Sequence, residues 1–591
     1  MNCLWKNPFK WGRCTVHAVV NKFFSKTEFR QVLYWKAVYK YLRRSAYTEA
    51  KNTFFLTCPI FYVNAKPHLG HAYTMCLADA WARYGSLRHQ SILKPFQLDD
   101  SPSIYSTFGR CSFDKTFLSC GTDEHGSKVR RAANACNLDP LQYCDQISPL
   151  FESLCHATHV KCNDFIRTTE NRHMKAVHEF WKRLEESGFL YRSKYSGWYC
   201  ISDEAFYMPW EVDETSASLS GTPVAKETGN PLEWIEEENY MFKLSSFKNE
   251  LHTWLDSGVF PKSSTQSVWG EIAHSIVDTA QDVSVSRPRS RLDWGIQVPG
   301  DDEQIIYVWL DALINYLTVT GFPWSDDSSC SGSKQNLWPP DVQFLGKDIL
   351  RFHAVLWPAL LMAVNLPLPK RLICHHHVLV DNIKMSKSKG NHIDPILEQS
   401  ELLSEEARNL TPADADVLRY SRNGEKLANI ELVNCVGNLL SRITSEALNP
   451  EQSIMQISRK QVDDFFSGDD LDANFLISLE GISHRFDQLW WDELQPHNAI
   501  EEVLNVVRLA NAFITRHSPW TEKVSVRRKC VLSVVAESLR VCALLLHPVI
   551  PNLSLRLLNR LGLYHEGGQQ SEVDNGLRVL GRDTGKFLRR L

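Results

Sequence analysis

The sequence predicts an α/β protein whose parallel sheet is split by an inserted domain and followed by a C-terminal α-helical bundle. Three observations carry that prediction. Near the start an apolar, β-rich run leads through a turn into helical periodicity. A second strand and helix unit of the same kind returns only after residue 340, and beyond Pro395 the apolar pattern is helical almost throughout. At 591 residues the chain is also too long for one core.

In chain order, the first 50 residues carry ten Lys or Arg against Glu28 and Glu49, interleaved with aromatics. Such a basic, acid-poor start reads as a mitochondrial transit segment, with a basic RNA-touching arm as the alternative. Residues 52–62 read as one buried strand, followed by a turn and a helix that begins near His68, the opening of a nucleotide-binding βαβ unit. Residues 99–119 and the Ser-rich segment 325–333 read as loops. Residues 51–163 form the first half of the sheet domain, 164–300 the inserted connective domain, and 301–398 the second half, with strands expected over 342–345 and 371–380. Residues 399–430 act as a connector, and 431–591 form the bundle, with helical periodicity over 471–479, 499–514 and 531–546.

Hydrophobic residues make up 43% and charged residues 23%, a balance that excludes wholesale disorder. The net charge of −4 supplies no global attraction to nucleic acid, so any such binding must be local. Sixteen cysteines, no two in a C-x-x-C pair, read as free thiols rather than a disulfide framework. The longest apolar run, residues 354–364, is too short to cross a bilayer, so no membrane partner is expected.

Two motifs carry the chemistry: P-I-F-Y-V-N-A-K-P-H-L-G-H over residues 59–71 and K-M-S-K-S over 384–388. Either alone is weak, because a His often caps a helix and a basic turn is often only solvated. Together they resemble the two signature motifs of class I aminoacyl-tRNA synthetases, whose fold is a split Rossmann-like sheet. Adenylate formation has a carboxylate attack the α-phosphate of ATP while pyrophosphate leaves, so positioned donors and cations are needed more than a base. His68 and His71 at a helix N-terminus can donate to phosphate oxygens, and Gly70 leaves room for the adenine ring. Lys384 and Lys387 lie on a loop able to close over the β- and γ-phosphates.

Five further segments narrow the resemblance: Y-V-N-A-K-P-H-L-G-H, G-T-D-E-H-G (121–126), E-E-N-Y-M-F (237–242), Y-V-W-L-D-A-L-I-N-Y (307–316) and G-K-D-I-L-R-F-H-A-V-L-W-P (346–358). In this order they resemble methionyl-tRNA synthetases of the mitochondrial type. The resemblance implies a methionine pocket of Ile60, Tyr62, Asp123, Trp309, Ala312, Tyr316, Ile349, His353 and Trp357. A polarizable thioether suits such an aromatic enclosure, and Asp123 can pair with the α-ammonium. It also implies that Asp348 holds the ribose of ATP, unless it caps the following helix, and that Arg287 lies near the site, with Arg289 and Arg291 as competitors. In the bundle, Asn438 and Arg442 on one helical face and Trp520 resemble the family's anticodon readers.

The implied substrates and partners are methionine, ATP with Mg²⁺, and tRNA(Met), acting as a monomer in the mitochondrial matrix. Structural zinc is not expected, because only Cys200 lies between Cys162 and Cys330. The run His375 to His377 reads as structural, since neighbours on a strand point to opposite faces. Two departures from the family pattern stand out: added chain over 89–118 and a shortened stem-contact connector over 399–430. The second sets the alternative reading, a tRNA-binding pseudoenzyme that cannot couple catalysis to anticodon recognition.

Overall fold

The computed structural model describes residues 53–88, 93, 95–96, 116–200, 205–207, 209–213, 222–226, 229–261, 263, 266–324, 334–376, 379–380, 383–384, 434–466, 468–522, 525–563, 573–574 and 577–581. The first expected strand is two, β1 (Phe54–Thr57) and β2 (Phe61–Tyr62). Pro59 between them has no N–H for a ladder, which breaks the run where the sequence reads continuity. Helix α1 (Leu69–Leu87) follows with His68 as its N-cap. Strand β3 (Thr116–Asp123) begins inside the expected loop of 99–119, whose residues up to 115 lie outside the described ones.

After α2 (Ser127–Ala135) and α3 (Pro140–Ala157), strand β4 (Asp164–Arg167) pairs parallel with β3. The sequence boundary at residue 164 therefore cuts the sheet, and the insertion starts later. Beyond α4 (Asn171–Glu186), strands β5 (Leu190–Cys200), β6 (Ala205–Tyr207), β7 (Glu233–Phe242) and β8 (Val283–Ser284) form a separate antiparallel sheet in the order β8-β7-β5-β6. Helices α5 (Lys248–Trp254) and α6 (Gln266–Thr279) lie between β7 and β8.

The chain then returns through α7 (Val308–Thr318), β9 (Val342–Gly346), α8 (Trp357–Ala363) and β10 (Leu372–His375). The parallel sheet runs β10-β9-β1-β3-β2, with β4 also on β3. Residues alternate between its two faces, so Leu56, Phe344 and Ile373 enter one core while Phe55, Leu345 and Cys374 enter the other. The strand expected over 371–380 stops at His375. Residues 379–380 instead pair antiparallel with 383–384.

The bundle holds α9 (Asn438–Thr444), α10 (Asp470–Asp487), α11 (Pro496–His517), α12 (Val526–Leu546) and α13 (Pro551–Arg560). From Cys530 to Leu546 every residue of α12 is buried, which makes it the central helix. A small sheet of residues 453–455, 573–574 and 577–579, which helical periodicity does not foresee, closes the bundle's end. Bundle and sheet domain touch directly: Arg88 grips Asp487 at 2.7 and 3.1 Å, Tyr84 donates to the same carboxylate at 2.8 Å, and Trp81 packs on Trp490. Residues 325–333 and the connector of 399–430 lie outside the described residues.

Candidate active site

A cavity of about 400 Å³ opens at the C-terminal ends of the parallel strands, where β2, the end of β3, Gly346 at the end of β9 and His375 at the end of β10 converge. Parallel sheets place ligands there because strand ends, loops and helix N-termini meet at that edge. Ile60, Tyr62, His68, Gly70, His71 and Asp123 line it from the first half of the chain. Trp309, Ala312, Tyr316, Asp348, Ile349 and His353 line it from the second, more than 180 residues later.

The two histidines of H-L-G-H form a capping box at the start of α1. The Gly70 amide donates to His68 Nδ1 at 3.1 Å, and the His68 amide donates to His71 Nδ1 at 3.0 Å. With Nδ1 accepting in both rings, the ring proton sits on Nε2 of each neutral imidazole. The rings lie nearly parallel with centroids 3.7 Å apart. Capping thus fixes two imidazole N–H donors beside a helix N-terminus, a favourable place for an anion.

The cavity's inner end is neutral. Tyr316 donates its hydroxyl proton to His353 Nε2 at 2.7 Å, while His353 Nδ1 donates to the Ile349 carbonyl at 3.0 Å. Burial pushes the His353 ring down to about 4, outweighing the Ile349 carbonyl, which favours the charged form. Burial likewise raises the Tyr316 hydroxyl, so both groups are uncharged at neutral pH. Because the folded-state value lies below the ordinary one, the unfolded chain takes up this proton first as pH falls. The stability that neutral His353 contributes is complete above about 6.5 and lost progressively towards about 4. His353→Gln is therefore expected to flatten the loss of stability between those limits by up to about 3 kcal/mol, measured by urea denaturation at a series of pH values.

Asp123 is held by its neighbours. Buried Glu124 receives Arg167 at 2.7 and 3.1 Å and the Thr122 hydroxyl at 2.9 Å, and its own amide is an N–H donor to Thr168. On the other side, His125 Nδ1 and His173 Nε2 each lie 2.7 Å from one oxygen of buried Asp311. Burial raises the Asp311 carboxyl, and the two rings more than offset that and bring it down to about 2. The motif G-T-D-E-H-G thus spends Glu124 and His125 on anchorage and presents Asp123 to the cavity.

Not every expected residue reaches the cavity. Trp357 is fully buried behind Tyr316, with ring centroids 6.2 Å apart, and packs on Phe180 and Trp338. It supports the pocket and does not line it. Arg287 lies on a neighbouring cavity of about 170 Å³, its guanidinium between the rings of Phe206 and Tyr307. Of its competitors, Arg291 faces Glu237 at 3.2 Å. Lys384 ends the short strand of 383–384, and Lys387 lies outside the described residues. Asn438 and Arg442 are both exposed on α9, and Trp520 is 52% exposed.

The cavity also gathers residues that sequence reasoning missed: Thr74, Lys128, His375 and His376. Thr74 was legible, since it stands one turn beyond Gly70 on the same face of α1, where its hydroxyl donates to the Gly70 carbonyl at 3.1 Å. His375 and His376 read as structural only because a longer strand was expected there. The strand ends at His375, whose Nε2 lies 3.0 Å from Thr74 Oγ1 and whose Nδ1 donates to the His376 carbonyl at 2.9 Å.

Comparison with known proteins agrees with this geometry. The family described as tRNA synthetases class I (M) matches residues 54–94 and 101–444. The mitochondrial methionine–tRNA ligase of Xenopus laevis is 39% identical over 86% of this chain and 86% of its own length. That of Homo sapiens is 37% identical over 86% and 84%. Among solved structures, the Mycobacterium tuberculosis methionyl-tRNA synthetase in complex with methionyl-adenylate superposes with a TM-score of 0.75 at 31% identity, covering 91% of this chain and 100% of that one. The chain belongs to the methionyl class I tRNA synthetase family.

Proposed function

We propose that this chain is a methionine–tRNA ligase that activates methionine with ATP and transfers it to tRNA(Met) in the mitochondrial matrix, acting as a monomer. The observation that carries the reading is the cavity itself, where H-L-G-H meets the neutral aromatic enclosure of Trp309, Tyr316 and His353. Methionine enters with its thioether against those rings and its α-ammonium on Asp123. Its carboxylate oxygen attacks the α-phosphorus of ATP, a new P–O bond forms, the bond to the β-phosphate bridge breaks, and pyrophosphate departs.

His68 and His71 donate from Nε2 to the phosphate oxygens, Asp348 holds the ribose, and Lys384 and Lys387 bear on the leaving pyrophosphate. Mg²⁺ arrives with the triphosphate. A hydroxyl of the terminal ribose of tRNA then attacks the methionyl carbonyl and releases AMP. Asn438, Arg442 and Trp520, all exposed on the bundle, read the anticodon.

The relatives that share most of this chain are methionine–tRNA ligases, which does not favour the pseudoenzyme alternative. The test is methionine-dependent ATP–pyrophosphate exchange on protein lacking the basic first 50 residues, with tRNA charging in parallel. Lys387→Ala is expected to lower exchange by about a hundredfold or more, the scale of losing one transition-state contact. Exchange without charging would place a defect at residues 399–430, and no exchange in folded protein would overturn the ligase reading.

A further inference from the structure

We propose that Asp472 is a positioning residue for Trp520: one buried carboxylate fixes the end of α11 and so sets the ring on which a base of the tRNA anticodon stacks. The inference rests on the proposed role of Trp520 and adds to it a residue too deeply buried to meet RNA itself.

Trp520 stands in the turn after α11 and is 52% exposed. Ser518 ends the helix in the left-handed region, at φ 41°. Its amide donates to the Ile514 carbonyl at 3.1 Å and its hydroxyl to the Thr515 carbonyl at 2.8 Å. The Thr521 amide then donates back to the Ser518 carbonyl at 2.9 Å, and the Thr521 hydroxyl to the same carbonyl at 2.8 Å, which closes the turn around Pro519 and Trp520. Proline fixes its own φ, so few torsions remain between the last turn of α11 and the Trp520 ring. The place of the ring follows the helix end.

Asp472 holds that end. It lies in the first turn of α10 and is 1% exposed. One of its oxygens receives the Arg516 guanidinium, and the other receives His517 Nε2 at 2.8 Å. Consecutive helical residues project about 100° apart, so a carboxylate that grips both fixes the roll of α11 as well as its distance from α10. A single bond would leave the helix end free to swivel. The His517 ring packs in turn on Phe466 and Phe513, with centroids 5.0 and 4.5 Å away.

This arrangement exceeds what stability asks. Helices α10 and α11 already pack through Phe475 and Phe513, with ring centroids 5.1 Å apart, and Asp469 already caps α10 by accepting the Leu471 amide at 2.7 Å. Burying a further carboxylate against two cationic side chains adds little net stability, because desolvation offsets the attraction. What it supplies is one orientation. A ring already held in place binds a base more tightly than one that must be ordered on contact.

Binding of an end-labelled tRNA(Met) transcript to the full chain is measured by fluorescence anisotropy at one salt concentration, with pyrophosphate exchange and thermal denaturation run on every variant. Trp520→Ala is expected to weaken binding about tenfold or more, the scale of one lost stacked base. Asp472→Asn keeps the side chain's size but leaves one accepting oxygen for two donors. It is expected to weaken binding about fivefold with exchange at the wild-type rate, and to have less than about a twofold effect in the Trp520→Ala background, where nothing is left to position. Arg516→Gln, which loosens the same carboxylate from the surface side, is expected to behave likewise, and it decides the matter if Asp472→Asn does not fold. Unchanged binding by folded Asp472→Asn, or equal losses with and without Trp520, would overturn the positioning role. Wild-type affinity in Trp520→Ala would overturn the anticodon reading and this proposal with it.

Discussion

His71→Asn is expected to abolish most methionine-dependent pyrophosphate exchange while leaving the protein nearly as stable as wild type; His71→Ala should lose both. The distinction follows from the two jobs of one ring. Its Nδ1 accepts the His68 amide at 3.0 Å, which satisfies an orphan donor of α1, and its Nε2–H faces the task of stabilising phosphate charge. An asparagine Oδ1 branches from the same carbon position as His71 Nδ1 and can accept the His68 amide in its place. It is too short to bring a donor to where Nε2 stood. Losing one preorganised donor lowers kcat by about a hundred- to a thousandfold, and losing the cap costs about 1 kcal/mol. Exchange kinetics and thermal denaturation on both variants check the pair. Equal stability of the two variants would remove the capping role, and full exchange by His71→Asn would remove the phosphate role.

How much of this was legible in the sequence depends on whether a residue's neighbours in space are also its neighbours in the chain. The H-L-G-H cap is local, so its helix start, its two histidines and its glycine could be read directly. Tyr316 and His353 could be placed in the pocket only through family resemblance, because no periodicity brings residues 37 positions apart to 2.7 Å. Trp357 shows the limit of that route: it belongs to the same motif as His353, yet faces Phe180 and Trp338 behind the cavity wall. The split sheet was legible from its two strand and helix units. The membership of β4 was not, since a four-residue strand after a run of helices carries too little pattern to be assigned. His375 was lost for the opposite reason, a strand expected to run on to residue 380, on which three adjacent histidines could not share one face.

The residue that sequence pattern hides most completely is Asp311, one carboxylate that joins three parts of the chain. It sits on α7, receives His125 from the loop after β3 and His173 from α4, and is fully buried. His173 also reaches Thr318 at 2.9 Å, so the network spans a full turn and more of α7. Removing the carboxylate as Asp311→Ala strands two buried imidazoles with no acceptor, and breaking such a network from one side typically costs about 3–5 kcal/mol. Asp311→Asn keeps one accepting oxygen and should cost clearly less. Activity should fall further than stability alone dictates, because His125 no longer fixes the loop that presents Asp123; KM for methionine should rise while KM for ATP changes little. Urea denaturation and exchange kinetics with each substrate varied test this directly. An Asp311→Ala protein with unchanged KM for methionine would mean that Glu124 and Arg167 alone hold Asp123, and that the His125–Asp311–His173 chain serves only to fasten α4 to α7.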